Sequence, residues 1–356
     1  MTQILTRPEV APTRTDGLEE ALTCVDVLPV THDVKTFLLA RQHDSALVFD
    51  AGQYLTLTLE IDGERVQRCY TISSAPTRPG TLAITVKRVP GGPVSNWLHD
   101  HLVPGGEVWA TGPHGDFCHV RHPAGKYLFL TAGSGITPAM SMLRTLQDGG
   151  LADVVFVHSA RTPEDIIFRD ELDAIAAVGG ALVTVICEAD SPTESWRGPT
   201  GRLGLRNLLG VPDLHDREVF TCGPTGYMAA TRQILEQAGV DPARCHEELY
   251  DLAARGAAPS TGDDAELSGT RYDVELRRTG RRIDCADNET LLHAAHRAGL
   301  NPPSMCSEGM CGTCRLTLLA GAVDMQHQGG IRQRDIDQGE ILICCSTPTG
   351  DVVLDV

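Results

Sequence analysis

Three cysteines, Cys306, Cys311 and Cys314, fall within nine residues, and Cys344 follows after twenty-nine intervening positions. No other feature narrows the fold of this chain as much. Thiols at C-x4-C-x2-C spacing oblige a short loop to wrap around one centre. Gly309 and Gly312 let the backbone bend close to it. Zinc prefers paired C-x2-C knuckles. Two irons bridged by sulfides instead need four thiolates gathered in this way. The set is read as the ligands of a [2Fe–2S] cluster, with Cys345 the rival of Cys344 for the fourth place. The other cysteines are scattered. The first twenty residues have no apolar signal core, so a disulfide framework and secretion are not expected and the cytoplasm is.

The cysteine loop sits in the last of three segments with different rhythms. From Ala21 to Thr111 short strands dominate, at Val34–Leu39, Tyr54–Leu59 and Thr81–Val89. Asp62-Gly63 marks a hairpin, and one helix is expected from Ser95 as N-cap to about Leu102. That pattern reads as an antiparallel β-barrel. From Lys126 strands alternate with helices: Tyr127–Thr131, a helix to about Leu146, Val154–His158, a helix opened by Thr162-Pro163-Glu164-Asp165, then Leu182–Cys187, Glu218–Thr221 and Arg244–Leu249. Alternation of this kind predicts an α/β domain with a parallel sheet. Residues 253–269 are rich in small and acidic residues and read as a linker. The last segment has strands near Tyr272–Arg278, Cys314–Leu319, Ile341–Cys344 and Val352–Leu354, and a helix from Thr290 to about Ala298 stopped by Gly299. The expected division is therefore 18–124, 125–252, linker 253–269 and 270–356, beginning after a flexible tail.

With 356 residues, 42% hydrophobic and 22% charged, the chain has the composition of a multidomain globular protein. No apolar run approaches the roughly 20 residues that span a bilayer. The net charge of −17 argues against nucleic acid and against an anionic membrane as partners. It does not exclude small anionic ligands, which backbone N–H groups can hold.

Two further runs carry chemistry. Arg68-Cys69-Tyr70-Thr71-Ile72-Ser73-Ser74 resembles the R-x-Y-[ST]-x-x-S motif of the ferredoxin–NADP reductase superfamily. By that resemblance Arg68 pairs with a pyrophosphate, Tyr70 lies along the isoalloxazine, the Thr71 hydroxyl sits near flavin N5, and Ser73 completes the motif. Val86-Lys87-Arg88-Val89 and Gly92-Pro93-Val94-Ser95 continue it. Lys87, Gly92, Val94 and Ser95 are thereby assigned to the cofactor, and the Gly-x-x-Ser favours FAD over FMN. Gly133-Ser134-Gly135-Ile136-Thr137-Pro138 follows a strand and opens a helix, so the amides around Gly133, Gly135, Thr137 and Pro138 can cradle a dinucleotide pyrophosphate. Thr221-Cys222-Gly223-Pro224 resembles the family's C-G-P motif, with Cys222 beside the nicotinamide C4 and Gly223 and Pro224 at the cofactor.

Near the second strand of that domain Arg161 is followed by Glu164 and Asp165. This reads as NADH rather than NADPH, with Arg161 the one residue suited to a 2′-phosphate. In His246-Glu247-Glu248-Leu249-Tyr250, Glu248 and Tyr250 match the family's glutamate and stacking aromatic, more often Phe in relatives. His246, His99, His101, His293 and His296 read as surface positions.

The C-x4-C-x2-C run is similar to that of plant-type ferredoxins. Ile341-Leu342-Ile343-Cys344, with Pro348 four residues on, resembles the ferredoxin ending. The order flavin, nicotinamide, [2Fe–2S] resembles the reductase components of Rieske-type multicomponent oxygenases, above all those of glycine-betaine demethylase-type systems. The resemblance implies three domains: an FAD-binding antiparallel barrel, an NAD-binding α/β domain and a β-grasp ferredoxin. It also implies electron flow from NADH through FAD and the cluster to the oxygenase component of a two-component monooxygenase, with Thr71, Cys222 and Glu248 at the hydride site. A reductase of the same architecture serving a hybrid-cluster protein or diiron hydroxylase is the alternative. A non-catalytic redox sensor is disfavoured, because it need not keep Cys222, Glu248 and the nicotinamide turn.

Overall fold

The computed structural model describes residues 20–42, 47–78, 80, 82–150, 152–249, 269–300, 302, 309, 312, 314–327, 331 and 333–356. The expected tail, Tyr250, Cys306, Cys311 and all of the expected linker except Gly269 lie outside the described residues.

Alternating apolar positions fold the first segment into six antiparallel strands: β1 (Glu20–Thr31), β2 (Val34–Arg41), β3 (Tyr54–Ile61), β4 (Glu64–Thr71), β5 (Leu82–Lys87) and β6 (Glu107–His114). Their order is β4-β3-β6-β1-β2-β5. An antiparallel bridge between Ile72 and Ile84, and a Ser73 N–H to Ala83 carbonyl bond of 2.8 Å, join the two edges into a barrel. Phe37, Leu57, Ile72, Ile84 and Leu98 fill it. The β3–β4 turn is the expected hairpin: Ile61 pairs with Glu64, and Asp62 and Gly63 both have positive φ, 54° and 81°. Two left-handed residues match the twist of the flanking strands.

Helix α1 (Pro93–His101) plugs the barrel with Val94, Ser95 and Leu98. It starts earlier than expected. Gly92, not Ser95, is the N-cap, because Pro93 at the first position already has helical φ. Ser95 sits one turn inside, where its Oγ accepts the Val89 N–H at 3.1 Å and donates to the Gly92 carbonyl at 3.3 Å.

The second segment alternates β7 (Lys126–Ala132), α2 (Ile136–Gly149), β8 (Asp153–Ala160), α3 (Arg169–Ala177), β9 (Leu182–Cys187), α4 (Leu205–Leu209), β10 (Glu218–Gly223), α5 (Thr225–Gln237) and β11 (Cys245–Leu249). The sheet is parallel, in the order β11-β10-β7-β8-β9. Thr162-Pro163-Glu164-Asp165 does not open α3. Pro163–Asp165 make a single 3-10 turn, and the chain then runs extended at Ile166. Ile166 and Ile167 are both buried, and the helix starts only at Arg169, after Phe168 at φ 59°. Two adjacent core isoleucines outweigh the local helix signal.

The third segment is a β-grasp unit. β12 (Arg271–Leu276), β13 (Arg281–Ala286), β14 (Arg315–Ala320), β16 (Glu340–Leu342) and β18 (Val352–Leu354) form a sheet in the order β13-β12-β18-β14-β16, and β15 (Val323–Met325) pairs with β17 (Ser346–Pro348). Helix α6 (Leu291–Arg297) lays Leu291, Leu292, Ala294 and Ala295 into its core, and α7 (Gln333–Asp337) follows β15. Thr290 caps α6 and Gly299, at φ 71°, stops it. Cys344 lies in a 3-10 turn, Ile343–Cys345, rather than in a strand.

Candidate functional site at the barrel–sheet seam

The flavin motif lies on β4 and just beyond it. Thr71, the last residue of β4, is 3% exposed, and its Oγ1 is buried with no hydrogen-bond partner. Such orphaned polar atoms are rare and call for a ligand. Arg68 donates to the Gln67 carbonyl at 2.6 Å and has no carboxylate partner among the described residues. Ser73 is fully buried and binds Thr85 Oγ1 at 2.9 Å, so it shapes the strand end rather than reaching out. Lys87 forms an ion pair with Asp33 at 3.0 Å. Gly92, Val94 and Ser95 form the first turn of α1.

Helix α2 clamps this motif. Arg144 donates to the Ser73 carbonyl at 2.5 Å and to Glu171 at 2.7 Å, while Ser141 donates to the Ser74 carbonyl at 2.7 Å. Arg78 and Asp148 add an ion pair at 2.8 Å. Val34, Ala51 and Phe117 of the barrel share one apolar cluster with Phe129, Met140, Phe156 and Cys222 of the sheet domain. The strand carrying Thr71 and the turn carrying Gly133 and Gly135 are therefore held as one unit.

Gly133 has φ 52°, and a Cβ on Gly135 would press on the Cys222 carbonyl and lie 2.6 Å from the Gly223 nitrogen. Glycine is required there because two backbones cross. The Thr137 hydroxyl donates to the Ser134 carbonyl at 3.1 Å, Pro138 is buried in the first turn of α2, and Pro224 caps α5.

Register then aligns four polar residues across the strands. His158 on β8 pairs with Thr131 on β7, Thr131 with Cys222 on β10, and Cys222 with Glu248 on β11. Laterally paired residues point to the same face of a sheet. Thr131 Oγ1 and His158 Nδ1 are 2.9 Å apart. Burial drives the His158 imidazole down to about 3, lifts the Cys222 thiol well above its ordinary value, and pushes Glu248 up to about 8. The row is thus polar but uncharged at neutral pH, and Glu248 Oε2 and His158 Nε2 lack partners.

Arg161, just past β8, is held by Asp165 at 2.5 Å and lies 3.9 Å from Asp33 of the barrel. Two histidines depart from the expected surface positions. His99 is buried, with Nε2 2.9 Å from the Val86 carbonyl. His246 is buried, with Nε2 2.7 Å from Glu218 and its ring stacked on His122. His99 lies on the face that helix α1 turns into the barrel, beside Leu98, and His246 is turned inward by the register of β11 against β10. In the third domain the Gly309 N–H donates to Cys344 Sγ at 3.2 Å, Cys314 is buried, and Gly309 and Gly312 have φ of 71° and 74°. Cys345 Sγ is 3.5 Å from the Leu342 carbonyl.

Sequence reading overlooked Ser141, Arg144, Asp33, Thr131 and His158. A polar residue ending an apolar run (Thr131, His158) was the available signal for two of them. Ser141 and Arg144 matter through contacts between domains, and Asp33 through its pair with Lys87 and its approach to Arg161.

The oxidoreductase FAD-binding domain family matches residues 22–119, the oxidoreductase NAD-binding domain family residues 129–233, and the 2Fe-2S iron-sulfur cluster binding domain family residues 274–349. A glycine betaine monooxygenase reductase subunit from Pseudomonas aeruginosa is 44% identical over 344 residues, covering 93% of this chain and 94% of that one. The chain belongs to this family of flavin and [2Fe–2S] reductases. The reductase is also 41% identical over 334 residues to a stachydrine N-demethylase reductase subunit from Rhizobium meliloti, covering 92% and 94% of the two chains. Among solved structures, a phthalate dioxygenase reductase superposes with a TM-score of 0.61 at 25% identity, over 96% of this chain and 98% of that one. The reductase is an oxidoreductase with FAD, NAD and [2Fe–2S] domains, and no helix among its described residues is long and apolar enough to cross a membrane.

Proposed function

We propose that the reductase takes a hydride from NADH and passes electrons singly to a Rieske-type oxygenase that demethylates a methylated ammonium compound. The observation that carries this reading is the uncharged row Thr131–Cys222–Glu248, whose Cys222 shares one apolar cluster with the barrel, where the Thr71 hydroxyl is buried without a partner. FAD, when bound, accepts a hydride and releases single electrons, which bridges nicotinamide to iron chemistry. Every other contribution comes from this chain. Arg68 and the first turn of α1 (Gly92, Val94, Ser95) would hold the pyrophosphate. Lys87 supports them from its pair with Asp33. Thr71 would offer its hydroxyl to the flavin, Tyr70 and Tyr250 would supply aromatic surface for its ring, and Ser73 fixes the strand end.

Gly133, Gly135, Thr137, Pro138, Gly223 and Pro224 shape the nucleotide turn. Cys222, a neutral thiol, walls the hydride path, and burial keeps Glu248 largely protonated at neutral pH, so that no fixed anion stands beside the nicotinamide. Cys306, Cys311, Cys314 and Cys344 hold the cluster. The amide of Gly309 on Cys344 supports it over Cys345 as fourth ligand. NADH is preferred to NADPH because Asp165 and Asp33 neutralise Arg161. The division at 18–124, 125–252, 253–269 and 270–356 and a cytoplasmic location, where NADH and reduced thiols coexist, belong to the same reading.

The relatives named as reductase subunits of a glycine betaine monooxygenase and of a stachydrine N-demethylase support the partner class. The test is reconstitution: the reductase, NADH, a purified Rieske oxygenase and glycine betaine together release formaldehyde, and omission of any one stops it. Rapid NADH–ferricyanide turnover with no electron delivery to such an oxygenase would refute the partner and leave the reductase activity standing.

A further inference from the structure

We propose that His122, Glu218 and His246 form a divalent-metal site, suited to zinc, at the junction of the barrel and the parallel sheet. One ligating atom from each residue lies within 4.8 Å of those of the other two. Glu218 opens β10, and His246 is the second residue of β11, laterally paired with Phe220. Glu218 and Phe220 are two apart on one strand, so Glu218 and His246 project from the same face. His122 reaches them from the connector between the barrel and β7. Its ring stacks on that of His246 with centroids 3.6 Å apart, at 25°.

Two imidazoles and a carboxylate make a zinc ligand set that leaves a fourth position to water. Zinc bonds of about 2.0–2.2 Å separate neighbouring ligand atoms by roughly 3.3 Å. His246 Nε2 and Glu218 Oε2 are 2.7 Å apart, so they need open by less than an ångström, and the His122 ring must turn out of its stack on His246 to aim a nitrogen at the same ion. The surroundings are largely dry: the His246 and Glu218 side chains are 4% and 17% exposed, and the Phe220 ring lies 4.8 Å from His246. Among the described residues one cation competes, Arg244, 3.4 Å from Glu218 Oε1. It also donates to the Asp216 carbonyl at 3.0 Å and so keeps a partner when Glu218 turns to a metal.

The hydride site does not use these residues. They stand at the entry ends of β10 and β11, whereas Cys222 and Glu248 stand near the exit ends. Cys222 is four residues from Glu218, about 13 Å along a strand. A metal here ties the interdomain connector to the strand that carries Glu248.

The test is calorimetric titration of the holoprotein, FAD and cluster intact by visible spectrum, with zinc chloride. Wild type is expected to bind one equivalent that His122→Ala and Glu218→Gln each weaken at least tenfold. Zinc should raise the thermal midpoint of wild type alone. NADH–ferricyanide activity and the flavin and cluster spectra should be unchanged in both variants. His122 is half-exposed in a connector, so His122→Ala decides the matter by itself if Glu218→Gln folds poorly. Equal zinc affinity and stoichiometry in wild type and His122→Ala would place the metal on thiols and overturn the proposal. So would a wild type that takes no zinc.

Discussion

Glu248→Gln is expected to make the NAD-binding domain more stable at neutral and higher pH. The folded carboxyl titrates at about 8 against an ordinary 4.5, because burial disfavours its charge. The folded chain therefore holds a proton that the unfolded chain releases, and stability from this group is lost as pH rises from about 4.5 through about 8. Each pH unit in that window is worth about 1.4 kcal/mol, which sets an upper bound near 3 kcal/mol at pH 7. Part of the residue still reaches solvent, although Oε2 does not, so the working figure is about 1–2 kcal/mol.

Glutamine has the same shape and cannot ionise, so the variant escapes the penalty. The assay is urea unfolding at pH 5 and pH 8, followed by hydrogen exchange of the β10 and β11 amides, with wild type and variant compared at each pH. Effects of all other titrating groups cancel in the difference. The variant's advantage should be small at pH 5 and grow by about 1–2 kcal/mol at pH 8. A difference that does not change with pH, or a wild type that gains on the variant at pH 8, would refute the assignment of a buried, protonated Glu248.

Thr71→Val removes a hydroxyl that has no partner in the protein, so the fold should lose little stability, while stopped-flow flavin reduction by NADH slows by about 1–3 kcal/mol in barrier. A variant as fast as wild type would remove Thr71 from the hydride site. Asp165→Asn leaves Arg161 with only the more distant Asp33, and kcat/KM for NADPH relative to NADH should rise about tenfold, or about 1.4 kcal/mol. An unchanged ratio would show that Arg161 does not meet the ribose. Cys306→Ser should abolish cytochrome c and partner reduction while NADH–ferricyanide activity survives, since ferricyanide accepts electrons upstream of the cluster; intact partner reduction would take the cluster off the path.

Much of this reductase is written locally. The C-x4-C-x2-C spacing, the Arg68–Ser74 run and the Gly133–Pro138 turn are short segments whose chemistry depends on neighbours in the chain, and the change from strands to alternating strands and helices sets the domain classes by periodicity. Asp62-Gly63 made its turn where expected, because φ preference belongs to the residues themselves. Where a distant neighbour decides, local pattern failed. Thr162–Asp165 carries every mark of a helix start, yet the burial of Ile166 and Ile167 stretches the chain and delays the helix to Arg169.

His246 looks like a surface residue beside two glutamates, and only the register of β11 against β10 turns it inward onto His122 and Glu218. The protonated state of Glu248 has the same origin. The motif singles out Glu248 by its spacing from Tyr250, but nothing local tells that its charge differs from that of Glu247, which pairs with Arg232 at 21% exposure. A strand alternates its faces, so the sheet sends Glu247 to solvent and an arginine, and Glu248 to the dry row beside Cys222, where water cannot stabilise its charge.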